Sequence, residues 1–402
     1  MKLSELEQIA YEQKEILMQS DTGLPRNALG SLPHLETHAL IISGIRRCGK
    51  STLMNQYLHT INQDFFYLNF ENIRLYDFRI KDFQLLDTII GRTGVKQLFF
   101  DEIQSVTGWE LFVRQKLDQQ YRIFITGSNA SLLSQELGTK LTGRQITKEL
   151  FPFSFDEFIT FKNKKACPDS LLEYINSGGF PEHVKTGHPD ILTALVDDVI
   201  YRDVVVRYGI KDASSVKRLL SYLFFNASKL TTPSKLKEIT GVKSPSTVLD
   251  YFSYFEASYL IQILHRFSFS FKSQMLAPKK VYICDTGLIK AGTLLRTENY
   301  GYLLENIIYM HLRRRTKELF YYNENKKECD FIELEAGKVK TLIQVCWELN
   351  TDNEEREIDG LIDALRFFNQ PKGLIITYNQ KDTIHHGDYV IELVPAFEFL
   401  MS

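Results

Sequence analysis

Residues Leu40 to Gln56 read LIISGIRRCGKSTLMNQ. Leu40, Ile41 and Ile42 form a short apolar run, the pattern of a buried parallel strand. The next eight residues, Gly44-Ile45-Arg46-Arg47-Cys48-Gly49-Lys50-Ser51, fit G-x-x-x-x-G-K-[ST] at every fixed position. Glycines let such a loop curl so that backbone N–H groups face phosphate oxygens. Lys50 is placed to reach the β- and γ-phosphates, and Ser51 to offer its hydroxyl to Mg²⁺. Thr52 to Tyr57 continues as a helix whose N-terminal dipole favours the same anion. Gly44 through Thr52 are therefore the expected ATP-binding residues.

A second stretch supports the first. Gln97-Leu98-Phe99-Phe100-Asp101-Glu102 is an apolar strand ending in two carboxylates. In nucleotide hydrolases of this loop type, such a carboxylate holds Mg²⁺ and a following Glu polarises the attacking water. Asp101 is assigned to the metal and Glu102 to the water. Without the loop, a buried strand ending in solvated acids would be the better reading.

A chain of 402 residues has room for two to four domains, each with its own core. Apolar content of 44% and charged content of 24% are ordinary for a soluble globular protein. No apolar run has the length of a membrane span, and the charged start MKLSELEQIAYEQKEIL reads as an amphipathic helix, so a cytoplasmic location without membrane contact is expected. Cys48, Cys167, Cys284, Cys329 and Cys346 lack metal-ligand spacing and are expected as reduced thiols. A net charge of −2 leaves nucleic acid only a local patch to bind.

Residues 1–37 form an N-terminal helix and loop. Residues 38–155 alternate strand and helix: Phe65 to Phe70, helical Phe83 to Ile90, the Asp101 strand, helical Trp109 to Gln119, and Tyr121 to Thr126. That order predicts an α/β fold, a parallel sheet with helices on both faces. Ligands gather at the carboxyl ends of such strands, which makes Ser128 and Asn129 candidate γ-phosphate sensors. Their alternative use is a plain turn. Arg144 is a candidate arginine finger, in cis or for a neighbouring copy, with a surface ion pair as its alternative.

The motifs GIRRCGKST, FFDEIQ, ITGSN, LTGR and FPFSFDEF, in that order, resemble a family of bacterial and archaeal ATP-binding proteins. The resemblance implies an AAA-type domain of the ASCE P-loop class, followed by an uncharacterised C-terminal domain related to the restriction-endonuclease fold. Gly178-Gly179-Phe180-Pro181-Glu182, Tyr201-Arg202-Asp203 and Asp285-Thr286-Gly287-Leu288 extend it over nearly the whole chain.

Residues 156–212 read as a helical connection. The aromatics of Phe151 to Phe158 have acidic neighbours and read as domain-interface packing rather than a base-stacking platform. Residues 213–266 resemble a winged helix, with Pro245 to Phe255 as recognition helix, capped by Ser244 and poor in basic residues. Residues 267–402 resemble a restriction-endonuclease-like domain with Glu305 on a helix and Asp330 on a strand. Where that fold carries E-x-K, this chain has Gln344-Val345-Cys346. Lys340 and Glu348 are the nearby groups that would have to compensate. Arg313-Arg314-Arg315 with Lys317, Lys326 and Lys327 is the strongest basic run and the candidate nucleic-acid contact.

The expected protein is an ATPase using Lys50, Glu102 and Arg144 in catalysis and Ser51 and Asp101 for Mg²⁺. Its nucleotide state would control the C-terminal domains, with a protein partner or homo-oligomer as further contacts. An ATP-regulated nuclease and a non-hydrolysing ATP-dependent regulator are the alternatives.

Overall fold

The computed structural model describes residues 1–61, 63–128, 143–292 and 299–402. Backbone contacts divide it into two units, Met1–Phe151 with Ala257–Tyr259, and Pro152–Glu256 with Leu260–Ser402.

In the first unit, strands β1 (Ala39–Ser43), β2 (Phe65–Asn69), β3 (Gln97–Asp101), β4 (Arg122–Gly127) and β5 (Gln145–Glu149) form one sheet in the order β2-β3-β4-β1-β5. Every pairing is parallel. Side chains alternate across it, as the period of two requires. Ile41, Phe66, Leu68, Leu98, Phe100, Ile123 and Ile125 share one core with helices α1 (Leu3–Gln19), α3 (Phe83–Thr93) and α4 (Trp109–Asp118). On the other face Phe65, Phe99 and Phe124 form an aromatic group with Tyr57 of α2 (Lys50–Thr60). Burial on both faces explains why β1 and β3 read as continuous apolar runs. The register sets Ser43 beside Gly127 and Asp101 beside Thr126, so the carboxyl ends of β1, β3 and β4 converge.

The second unit begins with helices α5 (Phe155–Lys162) and α6 (Pro168–Ser177). Phe155 and Phe158 pack against Tyr174 and are buried, so these aromatics serve a core. Within the expected helical connection the chain is α-helical over Asp190–Asp198 and π-helical over Val199–Val206, where the sequence turns β-branched and crowds the preceding turn. Helices α7 (Ala213–Phe225), α8 (Pro233–Thr240) and α9 (Pro245–Ala257) follow, and Ser244 Oγ accepts the Thr247 N–H at the start of α9.

Strands β6 (Leu230–Thr231), β7 (Ile261–Arg266), β8 (Lys279–Ile283), β9 (Leu319–Glu324), β10 (Lys327–Glu335), β11 (Lys338–Val345), β12 (Lys372–Thr377), β13 (Asp382–His386) and β14 (Tyr389–Pro395) build one sheet in the order β13-β14-β12-β11-β10-β9-β7-β8-β6. Helix α10 (Thr286–Gly292) follows β8, α11 (Tyr300–Arg313) precedes β9, and α12 (Glu354–Phe367) crosses from β11 to its parallel neighbour β12.

Two of the late motifs find a packing role here. Asp285 accepts the N–H groups of Gly179 at 2.7 Å and Gly287 at 2.8 Å. A Cβ on Gly178, whose φ is +69°, would lie 1.9 Å from Asp285 Oδ1. Only glycine fits that close approach. Burial pushes the Asp285 carboxyl up to about 6 against these hydrogen bonds. Among the described residues no helix is long and apolar enough to cross a membrane, and the cysteines are free.

Candidate functional site

The loop between β1 and α2 is held from behind. Gly44 lies so close to the chain after β5 that a Cβ would meet the Leu150 carbonyl oxygen at 2.1 Å. Gly49 has φ +100°, the left-handed region that favours glycine, and starts α2. Cys48 is buried, its thiol pushed up by burial, and Sγ lies 3.4 Å from the Leu150 carbonyl. It is a packing residue rather than a nucleophile. Lys50 is buried and donates to the carbonyls of Gly44 and Ile45, each at 3.1 Å. Its Nζ stands 3.9 Å from Glu102 Oε1.

At the end of β3, Asp101 is almost fully buried and accepts the Thr126 hydroxyl. Burial, reinforced by the Glu102 charge, lifts its carboxyl to about 6 against hydrogen bonds from Thr126 and Ser51 and the charge of Lys50. Glu102 turns out of the strand at φ +54°. Its Oε2 accepts the Gln104 amide, the Ser128 N–H at 3.3 Å and the Ser128 hydroxyl at 3.2 Å. Ser128, expected as a phosphate sensor or a turn, thus orients the Glu102 carboxylate. Lys50, Ser51, Asp101, Glu102 and Ser128 come together at one end of the sheet. A cation, a helix N-terminus and a carboxylate bonded to a serine at a glycine-rich loop fit Mg²⁺ with a polyphosphate.

Other expected residues stand around this centre. Arg46 is partly buried and pairs with Glu71 at 3.1 Å, while Arg47 is exposed. Thr52 lies on the first turn of α2. Arg144 donates to Asp118 at 2.5 Å, an ion pair on the surface of its own unit. Asn129 falls outside the described residues. Sequence reasoning missed Arg26. It is buried, donates to the carbonyls of Cys48 at 2.7 Å and Phe151 at 2.8 Å, and so ties the loop to the chain beyond β5. Gln56 holds the Arg26 segment through Thr22 and Leu24. No local pattern marks a residue that acts across 22 positions.

A second cluster lies in the second unit. Glu305 on α11 and Asp330 on β10 do meet, at a cleft of about 870 Å³. The lysine that faces them is Lys280, not Lys340. Lys280 of β8 reaches Glu305 at 3.0 Å, Glu328 at 2.7 Å and Asp330 at 2.6 Å. A β7–β8 pairing far upstream of β10 brings it there. Gln344 accepts the Asp330 N–H and donates to Glu357. Lys340 pairs with Glu333, and Glu348 lies beyond the end of β11. Of the basic run, Arg313 donates to Gln262 and Arg314 to the Pro152 carbonyl, while Arg315 and Lys317 are exposed.

Residues 36–159 match a sequence profile described as an AAA domain, and residues 168–299 one described as a domain of unknown function. Uncharacterized protein MJ1544 of Methanocaldococcus jannaschii is 36% identical over 393 residues, covering 90% of this chain and 88% of that protein. An uncharacterized protein of Haemophilus influenzae is 32% identical over 338 residues, covering 79% of this chain and 84% of that protein. MJ1637 of Methanocaldococcus jannaschii is 22% identical over 356 residues, covering 76% of this chain and 75% of that protein.

Proposed function

The chain belongs to the AAA-domain protein family that includes MJ1544, and from that premise we propose that it binds and hydrolyses ATP as a switch for its C-terminal region. The observation that carries this is the convergence of Lys50, Asp101 and Glu102 behind a glycine loop. Lys50 is the phosphate contact, released from the Gly44 and Ile45 carbonyls when a more strongly charged acceptor arrives. Ser51 and Asp101, which share a hydrogen bond, are the residues that would hold Mg²⁺. Bound there, the ion neutralises charge on the phosphate oxygens. Glu102 orients the attacking water, with Oε2 held by Gln104 and Ser128 and Oε1, which faces Lys50 at 3.9 Å, as the oxygen that would do so. Arg144 is the finger candidate, and its release from Asp118 is what that role requires.

The test is Glu102→Gln. It keeps Mg-ATP binding and loses phosphate release by about 100-fold or more, since a positioned base contributes 10²–10⁴-fold. Parent-level turnover in that variant would remove Glu102 from catalysis.

A second reading concerns the C-terminal region. The order α11, β9, β10, β11, α12, β12, with Glu305 and Asp330 facing one cleft, supports a restriction-endonuclease-like arrangement. We read it as a recognition domain rather than a cutting one, because Gln344 and Cys346 stand where an acid and a lysine would be needed. Arg315, Lys317 and Lys326 are exposed members of the basic run and the candidate contacts for a nucleic-acid backbone.

A further inference from the structure

The carboxylates of the C-terminal cleft already have a cation. Lys280 is almost fully buried, and its ammonium has three donors. Each has a carboxylate oxygen in reach: Glu305 Oε1 at 3.0 Å, Glu328 Oε1 at 2.7 Å and Asp330 Oδ1 at 2.6 Å. Two of these carboxylates take further bonds. Asp330 Oδ2 accepts the Val345 N–H at 2.9 Å, and Glu305 Oε1 accepts the Tyr282 hydroxyl at 2.7 Å. Gln344, which lies where another anionic ligand would be wanted, is bonded at both ends of its amide. Burial drives the Lys280 amine down, but Asp330 and Glu305 outweigh it and hold the ammonium well above its usual range.

We infer that Lys280 is the resident cation of this cluster, occupying the place between Glu305, Glu328 and Asp330 that a divalent metal ion would need. A restriction-endonuclease-like fold implies such an ion, and these residues do not fit one. An ion bonded to the same oxygens would lie against Nζ, where two positive centres repel with no water between them. Among the described residues no group of three or more His, Cys, Asp or Glu is placed to hold a metal. The site for Mg²⁺ is then the nucleotide loop rather than this cleft. The inference rests on the endonuclease-like reading only for where a metal would be expected.

The test is Mn²⁺ titration calorimetry on the full chain without nucleotide. An Asp101→Asn background silences the loop, so failure of the ATPase reading leaves the result unchanged. The Lys280-intact chain is expected to show no saturable binding into the millimolar range. K280M vacates the position and should gain at least about tenfold in Mn²⁺ affinity, since carboxylate charge sets such affinities. Adding Asp330→Asn to K280M should abolish the gain. K280Q, which keeps polar contacts, is the second variant should K280M fail to fold. Saturable binding by the Lys280-intact chain that Asp330→Asn removes would overturn the inference. So would folded K280M or K280Q with no gain, or Mn²⁺-dependent DNA cleavage by the parent that Asp330→Asn abolishes.

Discussion

Thr126→Val probes the metal carboxylate without touching it. Valine keeps the side-chain shape on buried β4 and removes the hydroxyl that donates to Asp101. In the free protein Asp101 stands at about 6, lifted by burial and by Glu102 and lowered by Thr126, Ser51 and Lys50. A hydrogen bond to a charged group is worth about 1.5–3 kcal/mol, and one pKa unit is about 1.4 kcal/mol. Losing it should raise Asp101 by about one to two units. At pH 7 the parent carboxyl is then roughly 90% ionised, and that of the variant roughly half or less. The assay is ATP turnover from pH 5 to 9. The acidic limb of kcat/KM reports the free enzyme, so it should move up by about one to two pH units, with about a two- to tenfold loss at pH 7 that recovers in base. Stability supplies a signed control. Because the folded carboxyl titrates above its unfolded value, its contribution is present below about pH 4 and is lost as pH rises through 6. The variant loses more, so its deficit in urea unfolding should be larger at pH 8 than at pH 5. Superimposable acidic limbs would refute Asp101 as the carboxylate that must ionise.

Gly178→Ala puts a methyl 1.9 Å from Asp285 Oδ1 at φ +69°, and should cost at least about 2 kcal/mol in urea unfolding; an unchanged midpoint would refute the Asp285 packing. Arg144→Ala separates its two uses. The Asp118 pair is partly exposed and worth under about 1 kcal/mol, so the melt should hardly move. A finger role predicts about a thousandfold loss of turnover, whereas parent-level turnover would leave Arg144 with the ion pair alone.

What was legible in the sequence was local. The apolar run of β1, the glycine loop and the start of α2 lie within 17 consecutive residues, and the Asp101-Glu102 pair closes its own strand. Strand and helix order then implied the parallel sheet. The missing parts act over distance. Arg26 is an unremarkable residue in a loop until the fold sets it behind Cys48. Gly178 and Asp285 were visible as motifs without chemistry, because the reason for each is the other. Lys280 was hidden for the same cause: strand pairing delivers it to Asp330, 50 positions away, so no spacing rule on β10 and β11 could find it. Ser128 was visible as a polar residue past β4, but its contact with Glu102 depends on how both strands end.

The central claim is that the loop at Lys50 binds ATP. Calorimetric titration of Mg-ATP into parent and Lys50→Ala tests it most directly. Lys50 is buried, donates to two loop carbonyls at 3.1 Å and faces Glu102 at 3.9 Å, so its loss should leave the fold in place while removing a charge-assisted phosphate contact. Saturable binding by the parent is expected, weakened about tenfold to a hundredfold in the variant. Equal affinity in the two proteins, with the variant folded, would contradict it.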